Sequence, residues 1–390
     1  MYNTDEVYKF LIKRIKHPKA DRSFLNDRYT DVEAWKAETV EWVKSLTFYS
    51  PKKVDFNPVE TECVDFGSYL RKKIYFYTAE DCKVSSFLLM PKNLKKPAPA
   101  IIGLHDHSGK YYWGKEKITD LTEEENARWP YVAKFKNWCY GRRGFASALA
   151  EKGYIVLVID SLGWGERGWL TESWLGGGPH NFYDLEAGSE AFSYAYDKVW
   201  TTTKQKLQDA CLFAGTTHFG LQIWDDIRSL DYLCSLEEVD PDNIGCLGLS
   251  MGGCRTVFLG ALDARIKCSV PVGYMPPMED IAPLRMPDAC FALPGLYDSL
   301  PYYDVASLMA PRPMLVLNCD NDQLFDVSSM EKAAKQIAMV YDKAGAGDAF
   351  MAKSYPVGHI FDCEMQEDAF DWLDMHLNLS KQSPASAIEQ

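Results

Sequence analysis

The stretch Gly248-Leu249-Ser250-Met251-Gly252-Gly253 decides the fold of this 390-residue chain. It follows a strand-like run over residues 244–249 and precedes a predicted helix over residues 254–262. A serine at so tight a strand-to-helix turn takes a strained backbone, and glycines two positions before and after it remove side chains that would collide. That context separates a nucleophile elbow from a glycine-rich turn with an ordinary N-cap serine. We therefore predict that Ser250 stands above a sheet as a nucleophile.

Strand-like and helix-like segments alternate along the rest of the chain. Short apolar runs predict strands at residues 73–77, 84–90, 98–104, 154–160, 244–249, 266–272, 314–318 and 350–355. Apolar residues at helical spacing predict helices at residues 145–152, 224–233, 254–262, 327–341 and 364–377. Such alternation predicts an α/β fold, with a doubly wound, mostly parallel sheet and helices on both faces.

The predicted sheet domain covers residues 61–380, after a helical extension at residues 1–60 and before a flexible tail at residues 381–390. The clearer of two amphipathic helices in the extension has an apolar face of Val32, Trp35, Trp42, Val43 and Leu46. We expect the extension to pack on the main domain or on a second subunit of a homo-oligomer. Two long insertions, at residues 106–143 and 163–220, directly follow strands, so we expect them to form loops over the site.

Composition and charge disfavour several classes of function. The net charge of −13 argues against nucleic acid and anionic membranes as partners. No run approaches the roughly 18 apolar residues of a membrane span. The eleven cysteines form no Cys-x-x-Cys pair, and residues 1–6 lack the features of a secretory signal. Reduced thiols in a cytoplasmic protein are therefore the expectation.

A serine hydroxyl needs a base to take its proton, and His359 is the predicted base. It lies in Tyr355-Pro356-Val357-Gly358-His359, after the last predicted strand and before the last helix. The acid that orients the imidazole should follow the strand at residues 314–318, where Asp320 and Asp322 are both within reach. Asp322 fits the usual offset better and is the predicted acid. The resulting chain order, serine then aspartate then histidine, is typical of enzymes that carry a nucleophile elbow.

Two backbone N–H groups are predicted to bind the oxyanion of the reaction intermediate. One belongs to Met251, directly after the nucleophile. The other should come from the loop His105-Asp106-His107-Ser108-Gly109, where His107 is preferred and Asp106 is the alternative. Adjacent residues of one loop rarely converge on an ion, so the two histidines here predict no metal site. We also predict no cofactor.

Four motifs resemble the dienelactone hydrolase-like and acetyl xylan esterase-like branch of the α/β-hydrolases. They are Gly248-Leu249-Ser250-Met251-Gly252-Gly253-Cys254-Arg255, Trp224-Asp225-Asp226-Ile227-Arg228, Val239-Asp240-Pro241 and Asp160-Ser161-Leu162-Gly163-Trp164-Gly165-Glu166-Arg167. The resemblance extends over about residues 60–378. It implies the α/β-hydrolase fold and a triad of Ser250, Asp322 and His359.

The chain also departs from the named members of that branch. Ser250 stands where typical dienelactone hydrolases have a cysteine, which puts lactone hydrolysis of that type in doubt. Met251 stands where bacterial acetyl xylan and cephalosporin deacetylases have glutamine and where glucuronoyl esterases have arginine, and the Arg-Gly-Gln motif of the deacetylases is absent. Deacetylation of sugars is therefore an expectation by analogy.

The insertions contain residues that suit a substrate pocket. Two roles are open for Arg167: it holds a substrate carboxylate, or it pairs with an acid that braces its own loop. The aromatic residues of the insertions either line an acyl or sugar pocket or fill the core of the inserted segments. They are Trp113, Trp164, Trp169, Trp174 and Tyr183. Trp113, Trp164 and Arg167 are the predicted substrate-binding residues.

Together these residues predict a serine hydrolase that cleaves carboxylic esters through an acyl-enzyme, with a small-molecule or carbohydrate ester as substrate. Two alternatives stay open. One is a non-catalytic binding or regulatory protein on a hydrolase scaffold, against which all three triad residues argue. The other is a peptidase of the prolyl oligopeptidase type, against which the lack of a propeller domain argues.

Overall fold

The computed structural model describes residues 5–94, 97–169, 185–281 and 288–377. The predicted tail at residues 381–390, Trp174 and Tyr183 lie outside these ranges. The described residues form one nine-stranded sheet in the order β1-β2-β3-β5-β4-β6-β7-β8-β9. Its strands are β1 (Val59–Asp65), β2 (Tyr69–Ala79), β3 (Cys82–Pro91), β4 (Ala98–Leu104), β5 (Ile155–Ile159), β6 (Val239–Leu249), β7 (Ile266–Val272), β8 (Met314–Cys319) and β9 (Phe350–Tyr355).

The sheet is mostly parallel, as predicted. Strands β1 to β3 form antiparallel hairpins, and β3 pairs antiparallel with β5. From β5 through β4 and β6 to β9 every neighbouring pair is parallel. The carboxyl ends of these six strands therefore meet at one edge, which is where α/β folds bind their ligands. Strand β1 was not predicted, because its side chains are almost all exposed and four of its seven residues are polar or charged.

Helices lie on both faces of the sheet. They are α1 (Glu6–Lys16), α2 (Val32–Ser45), α3 (Glu123–Arg128), α4 (Pro130–Cys139), α5 (Phe145–Lys152), α6 (Glu190–Phe213), α7 (His218–Cys234), α8 (Met251–Leu262), α9 (Met278–Ile281), α10 (Leu296–Ser299), α11 (Tyr302–Ser307), α12 (Val327–Lys343) and α13 (Cys363–His376). None of the described helices is long and apolar enough to cross a membrane.

Two apolar cores fill the space between the sheet and these helices. Successive residues of a strand point to opposite faces, so Ile101 and Ile102 of β4 belong to different cores. Ile101 shares its core with Phe370 of α13, and Ile102 shares the other with Trp35 of α2 and Phe258 of α8. This confirms the prediction of a doubly wound α/β fold.

The two insertions contain helices as well as loops. The first contains α3 and α4, and the second contains α6, a helix of 24 residues. Helix α6 begins at Ser189, whose side chain accepts a hydrogen bond from the Phe192 N–H. Its buried residues Tyr196, Trp200 and Leu207 recur at helical spacing, and that periodicity could have predicted it.

The N-terminal extension is tied to the sheet domain by polar contacts. Trp35 is wholly buried, and its indole N–H donates to the Arg22 carbonyl at 2.8 Å. The Ser23 hydroxyl donates to Asp304 Oδ1 of α11 at 2.9 Å, and Lys343 Nζ of α12 donates to the Phe24 carbonyl at 2.6 Å. The contacts with Asp304 and Lys343 place the extension against the domain of its own chain.

Asp304 gives the fold a pH-dependent stability that a substitution can reveal. Burial raises the pKa of its carboxyl to about 7, from an ordinary value near 3.8, and its Oδ2 atom has no hydrogen-bond partner in the described structure. A raised pKa means that deprotonation of Asp304 costs more free energy in the folded state than in the unfolded state. The folded state therefore loses stability as pH rises from about 4 to about 7, and above about pH 7 the loss no longer grows. Asp304→Asn should therefore raise the free energy of unfolding by about 2 kcal/mol more at about pH 8 than at about pH 5.

Chemical denaturation of both proteins at the two pH values measures this difference. Asp298→Asn is the matched control, because Asp298 forms an ion pair with Lys19 at the surface nearby. It should bring no gain at the higher pH. Equal effects of Asp304→Asn at both pH values would contradict the prediction.

Candidate active site

Ser250 lies at the turn between β6 and α8 and has φ of +58° and ψ of −118°. A positive φ is costly for a residue with a side chain, so the predicted strained backbone is present. The Ser250 N–H donates to the Val272 carbonyl of β7 at 2.8 Å. The turn is thus fixed by the neighbouring strand, and the serine is presented at the carboxyl edge of the sheet.

The glycines of the motif allow the turn to pack directly on two strands. A Cβ atom at Gly248 would lie 2.3 Å from the Leu104 carbonyl oxygen at the end of β4, and one at Gly252 would lie 2.0 Å from the same atom. A Cβ atom at Gly253 would lie 2.6 Å from the Val272 carbonyl oxygen. Any side chain at these positions would push Ser250 away from the edge of the sheet.

His359 and Asp322 form a hydrogen-bonded pair beside the serine. His359 Nδ1 lies 2.6 Å from Asp322 Oδ2, and Asp322 Oδ1 accepts from the Leu324 N–H at 2.7 Å. Because a carboxylate accepts, Nδ1 carries the proton and Nε2 has a free lone pair. His359 Nε2 is buried and has no hydrogen-bond partner among the described residues, Ser250 included. The side chains of Ser250 and His359 nevertheless line the same cavity.

The two candidate acids have different surroundings. The Asp322 side chain has no exposed surface and contacts the imidazole. Asp320 is exposed, and its backbone N–H donates to the Tyr355 carbonyl at 2.8 Å, which joins the ends of β8 and β9. The structure therefore pairs His359 with Asp322, whereas Asp320 belongs to the turn.

The loop after β4 lies against the elbow. His105 is fully buried, its Nδ1 donates to the Asp106 carbonyl at 2.9 Å, and its Nε2 accepts from the Ser161 N–H at 3.0 Å. Burial lowers the pKa of the His105 imidazole well below its usual range, so it stays neutral and structural. His107 lines the cavity with Ser250, and Met251 is the first residue of α8. Both residues predicted to bind the oxyanion thus flank the serine.

A cavity of about 1170 Å³ opens over Ser250 and His359. Its buried end is aromatic: Tyr274 contacts both Phe291 and Phe325, with ring centroids 5.3 Å apart in each pair. The outer end is mixed in character and includes an indole that is 64% exposed. The side chains lining this end are Lys110, Tyr131, Lys134, Trp138 and Glu190.

One cluster in the cavity wall contains metal-type donors. Atoms of His107, Asp288 and Cys290 lie within 4.8 Å of one another. However, Asp288 Oδ2 already pairs with Lys204 Nζ at 2.5 Å, and Asp288 Oδ1 accepts from Gln208 Nε2 at 2.7 Å. With a cation in place on its carboxylate, the cluster is an ion pair that supports the cavity wall.

A family model described as the Abhydrolase family matches residues 4–344. The chain belongs to this family. YtaP of Bacillus subtilis (strain 168), named as a hydrolase, is 26% identical over 324 residues, which is 82% of this chain and 89% of YtaP. This relationship and the sheet confirm the predicted α/β-hydrolase fold.

Solved structures similar to this chain include two esterases. One is from Bacteroides fragilis NCTC 9343 and is named as an acetyl xylan esterase, with 18% identity and a TM-score of 0.66 over 91% of this chain and 83% of its own. The other is the glucuronoyl esterase of Solibacter usitatus, with 16% identity and a TM-score of 0.57 over 89% of this chain and 94% of its own. At these identities the likeness establishes the shared fold alone.

The structure does not bring Trp113, Trp164 or Arg167 to the cavity wall, contrary to our expectation. Arg167 is buried and forms an ion pair with Asp225, because a buried guanidinium needs a counter-ion. Of the two roles open for Arg167, the structure therefore shows the ion pair.

The aromatic residues of the insertions likewise serve packing and the support of loops. Trp164 donates from Nε1 to the carbonyl oxygens of His107 and Gly109, at 3.2 and 3.3 Å. Trp113 packs on Trp129 in a small core of the first insertion, and Trp169 packs against the larger core. Sequence reasoning missed Trp138 and Phe325 as lining residues, since their positions depend on how α4 and the turn after Asp322 pack.

Gly252→Ala should destabilise the fold, because the Leu104 carbonyl occupies the space that the new methyl group needs. We expect a loss of about 1–3 kcal/mol in the free energy of unfolding, measured by chemical denaturation. Gly260→Ala is the control in the same helix, since the nearest atom to its Cβ would belong to the flexible Met309 side chain, at 3.1 Å, and the Ser269 side chain would lie at an ordinary contact distance of 3.6 Å. It should be nearly neutral. A stability of Gly252→Ala equal to that of the control would show that the close approach does not constrain the elbow.

Proposed function

We propose that this chain is a serine hydrolase that cleaves carboxylic esters through an acyl-enzyme. Ser250 is the nucleophile, His359 the base and Asp322 the orienting acid. The observation that carries this proposal is the combination, in one cavity, of a strained serine and a histidine whose Nδ1 is held by a buried carboxylate. Membership of a hydrolase family and the fold shared with esterases support it.

The proposed reaction proceeds in two halves. His359 Nε2 takes the proton of Ser250 Oγ as that oxygen attacks the ester carbonyl carbon, and Asp322 stabilises the imidazolium that forms. The imidazolium then gives the proton to the leaving alcohol oxygen as the bond between that oxygen and the carbonyl carbon breaks. In the second half, His359 takes a proton from water, the water oxygen attacks the acyl carbon, and Ser250 recovers its proton as the acid departs.

We assign the oxyanion to the backbone N–H groups of Met251 and His107. Met251 stands at the N-terminus of α8, where unpaired N–H groups and the helix dipole favour negative charge. The loop of His107 follows β4, which is the strand paired with β6, so it lies beside the elbow. Donors that are already in place stabilise the charge as it develops and need no rearrangement.

The cavity favours a carbohydrate or small-molecule ester as substrate. The buried aromatic end, formed by Tyr274, Phe291 and Phe325, suits the acyl group. The outer end offers the exposed indole of Trp138 beside Tyr131 and charged groups, a combination that suits a sugar ring with its apolar face and its hydroxyls. The names of the similar structures, acetyl xylan esterase and glucuronoyl esterase, also point to sugar esters.

Turnover of 4-nitrophenyl acetate tests the proposed triad. Ser250→Ala should lower kcat by at least about 10⁴-fold, because no nucleophile remains. Asp322→Asn should lower it by about 10³–10⁴-fold, since the imidazole tautomer is no longer fixed. Asp320→Asn is the matched control and should keep most of the activity, because its side chain is exposed.

Two outcomes would contradict the assignment. A larger loss for Asp320→Asn than for Asp322→Asn would exchange the two acids. Folded wild-type protein that neither turns over esters nor reacts with a fluorophosphonate probe would favour a binding protein on a hydrolase scaffold.

Trp138→Ala tests the assignment of the outer end to the alcohol part of the substrate. It should raise KM for an acetylated xylo-oligosaccharide about tenfold, since a contact of about 1.4 kcal/mol is lost. Hydrolysis of 4-nitrophenyl acetate should not change. Tyr194→Ala is the control, because Tyr194 is an exposed aromatic residue of α6 that does not line the cavity. Equal KM values for the two variants would contradict a sugar contact at Trp138.

A further inference from the structure

Lys117 is a fully buried lysine behind the loop that follows β4. Its Nζ atom lies 3.2 Å from the Asp106 carbonyl oxygen, 3.0 Å from that of His107 and 3.1 Å from that of Gly109. An ammonium group has three hydrogens, so each can serve one of these carbonyls. The Asp106 carboxylate, 3.5 Å away, supplies the opposite charge.

The convergence of three carbonyls on one cation requires an unusual backbone. Ser108, Gly109 and Lys110 all have positive φ, of 37°, 62° and 51°. For the serine and the lysine such angles are strained. Contacts with a buried cation are among the strongest hydrogen bonds in a protein, and they offset this strain. Lys117 therefore holds all three carbonyls of this loop, and Trp164 shares two of them.

The direction of the carbonyls fixes the direction of the N–H groups. In a trans peptide the C=O of one residue and the N–H of the next point in opposite directions. The Gly109 carbonyl faces Lys117, and the Lys110 N–H donates to Asp197, a side chain that lines the cavity. By the same geometry, the Asp106 carbonyl faces Lys117 and the His107 N–H points away from it.

The loop separates Lys117 from the cavity over Ser250. His107, Ser108 and Gly109 line that cavity, whereas Lys117 does not and is fully buried. Lys117 and the cavity therefore lie on different sides of the loop. A cation bonded to the carbonyl also polarises the peptide and makes its N–H a stronger donor.

We propose that Lys117 is a positioning residue for the oxyanion hole: its ammonium group holds the Asp106–His107 peptide so that the His107 N–H faces the oxyanion formed on Ser250. This inference rests on the proposed esterase function. Lys117 does not touch the substrate, and it acts through the peptide.

Lys117→Met tests the proposal, since methionine keeps the length of the side chain and removes the charge and the donors. We expect kcat for 4-nitrophenyl acetate to fall about 100-fold, with KM nearly unchanged, because the oxyanion forms only in the transition state. The affinity for a boronic acid that forms a tetrahedral adduct on Ser250 should fall in proportion to kcat/KM. Active sites are counted by the end point of fluorophosphonate labelling, so that misfolded protein does not enter kcat.

Lys136→Met is the matched control. Lys136 is also buried, and its Nζ donates to the Thr119 carbonyl, outside the loop of residues 105–109. It should retain the wild-type kcat and boronic acid affinity even if its thermal stability falls. If Lys117→Met does not fold, Lys117→Gln, which keeps a neutral donor, should show the same selective fall in kcat of at least about tenfold.

The outcomes separate this inference from the proposed function. Wild-type turnover that depends on Ser250, together with an unchanged kcat in folded Lys117 variants, would overturn the role of Lys117 alone. Equal losses in Lys117→Met and Lys136→Met would also overturn it, because they would show a general effect of stability. A wild-type protein without turnover that depends on Ser250 would overturn both proposals.

Discussion

The elbow packs against the end of β4 without room for a side chain at two of its glycines, and the remaining geometry depends on this contact. The Leu104 carbonyl oxygen occupies the space where a Cβ of Gly248 or Gly252 would stand. This contact brings the loop after β4 beside Ser250. The same sheet edge then receives His359 and Asp322 from the ends of β9 and β8. One close contact thus helps to set the positions of groups that are far apart in the chain.

Buried polar groups hold the loops at the carboxyl edge of the sheet. Loops at the edge cannot be held by strand pairing, and here they are held by specific donors. His105 fixes the start of one loop, Lys117 and Trp164 fix its carbonyls, and the Arg167–Asp225 ion pair fixes the next insertion. The charged groups among them, Lys117 and the Arg167–Asp225 pair, need partners of opposite charge, because an unpaired buried charge costs several kcal/mol. This arrangement includes strained backbone at Ser108, Lys110 and Ser250, which all have positive φ.

The fold could be predicted from the sequence because its central strands are buried on both faces. Residues 98–104 and 155–159 are therefore continuous apolar runs, and the glycines around Ser250 mark a unique turn. His359 was predicted from chain order, and Asp322 was preferred over Asp320 because it fits the usual offset after the strand better. Other features follow from tertiary packing: the partner of Arg167 lies on another element, and the place of Trp138 depends on how α4 packs. The aromatic residues of the insertions suit a core and a pocket equally, and the sequence does not tell these two roles apart.

The central claim is that Ser250 forms a covalent acyl intermediate. The most direct test is rapid-quench mass spectrometry of the protein mixed with 4-nitrophenyl acetate, followed by peptide mapping. The account predicts a transient acetyl group on the peptide that contains Ser250, which appears with the first release of 4-nitrophenol and is absent in Ser250→Ala. Steady turnover without any acetylated peptide, or with the acetyl group on another residue, would contradict it.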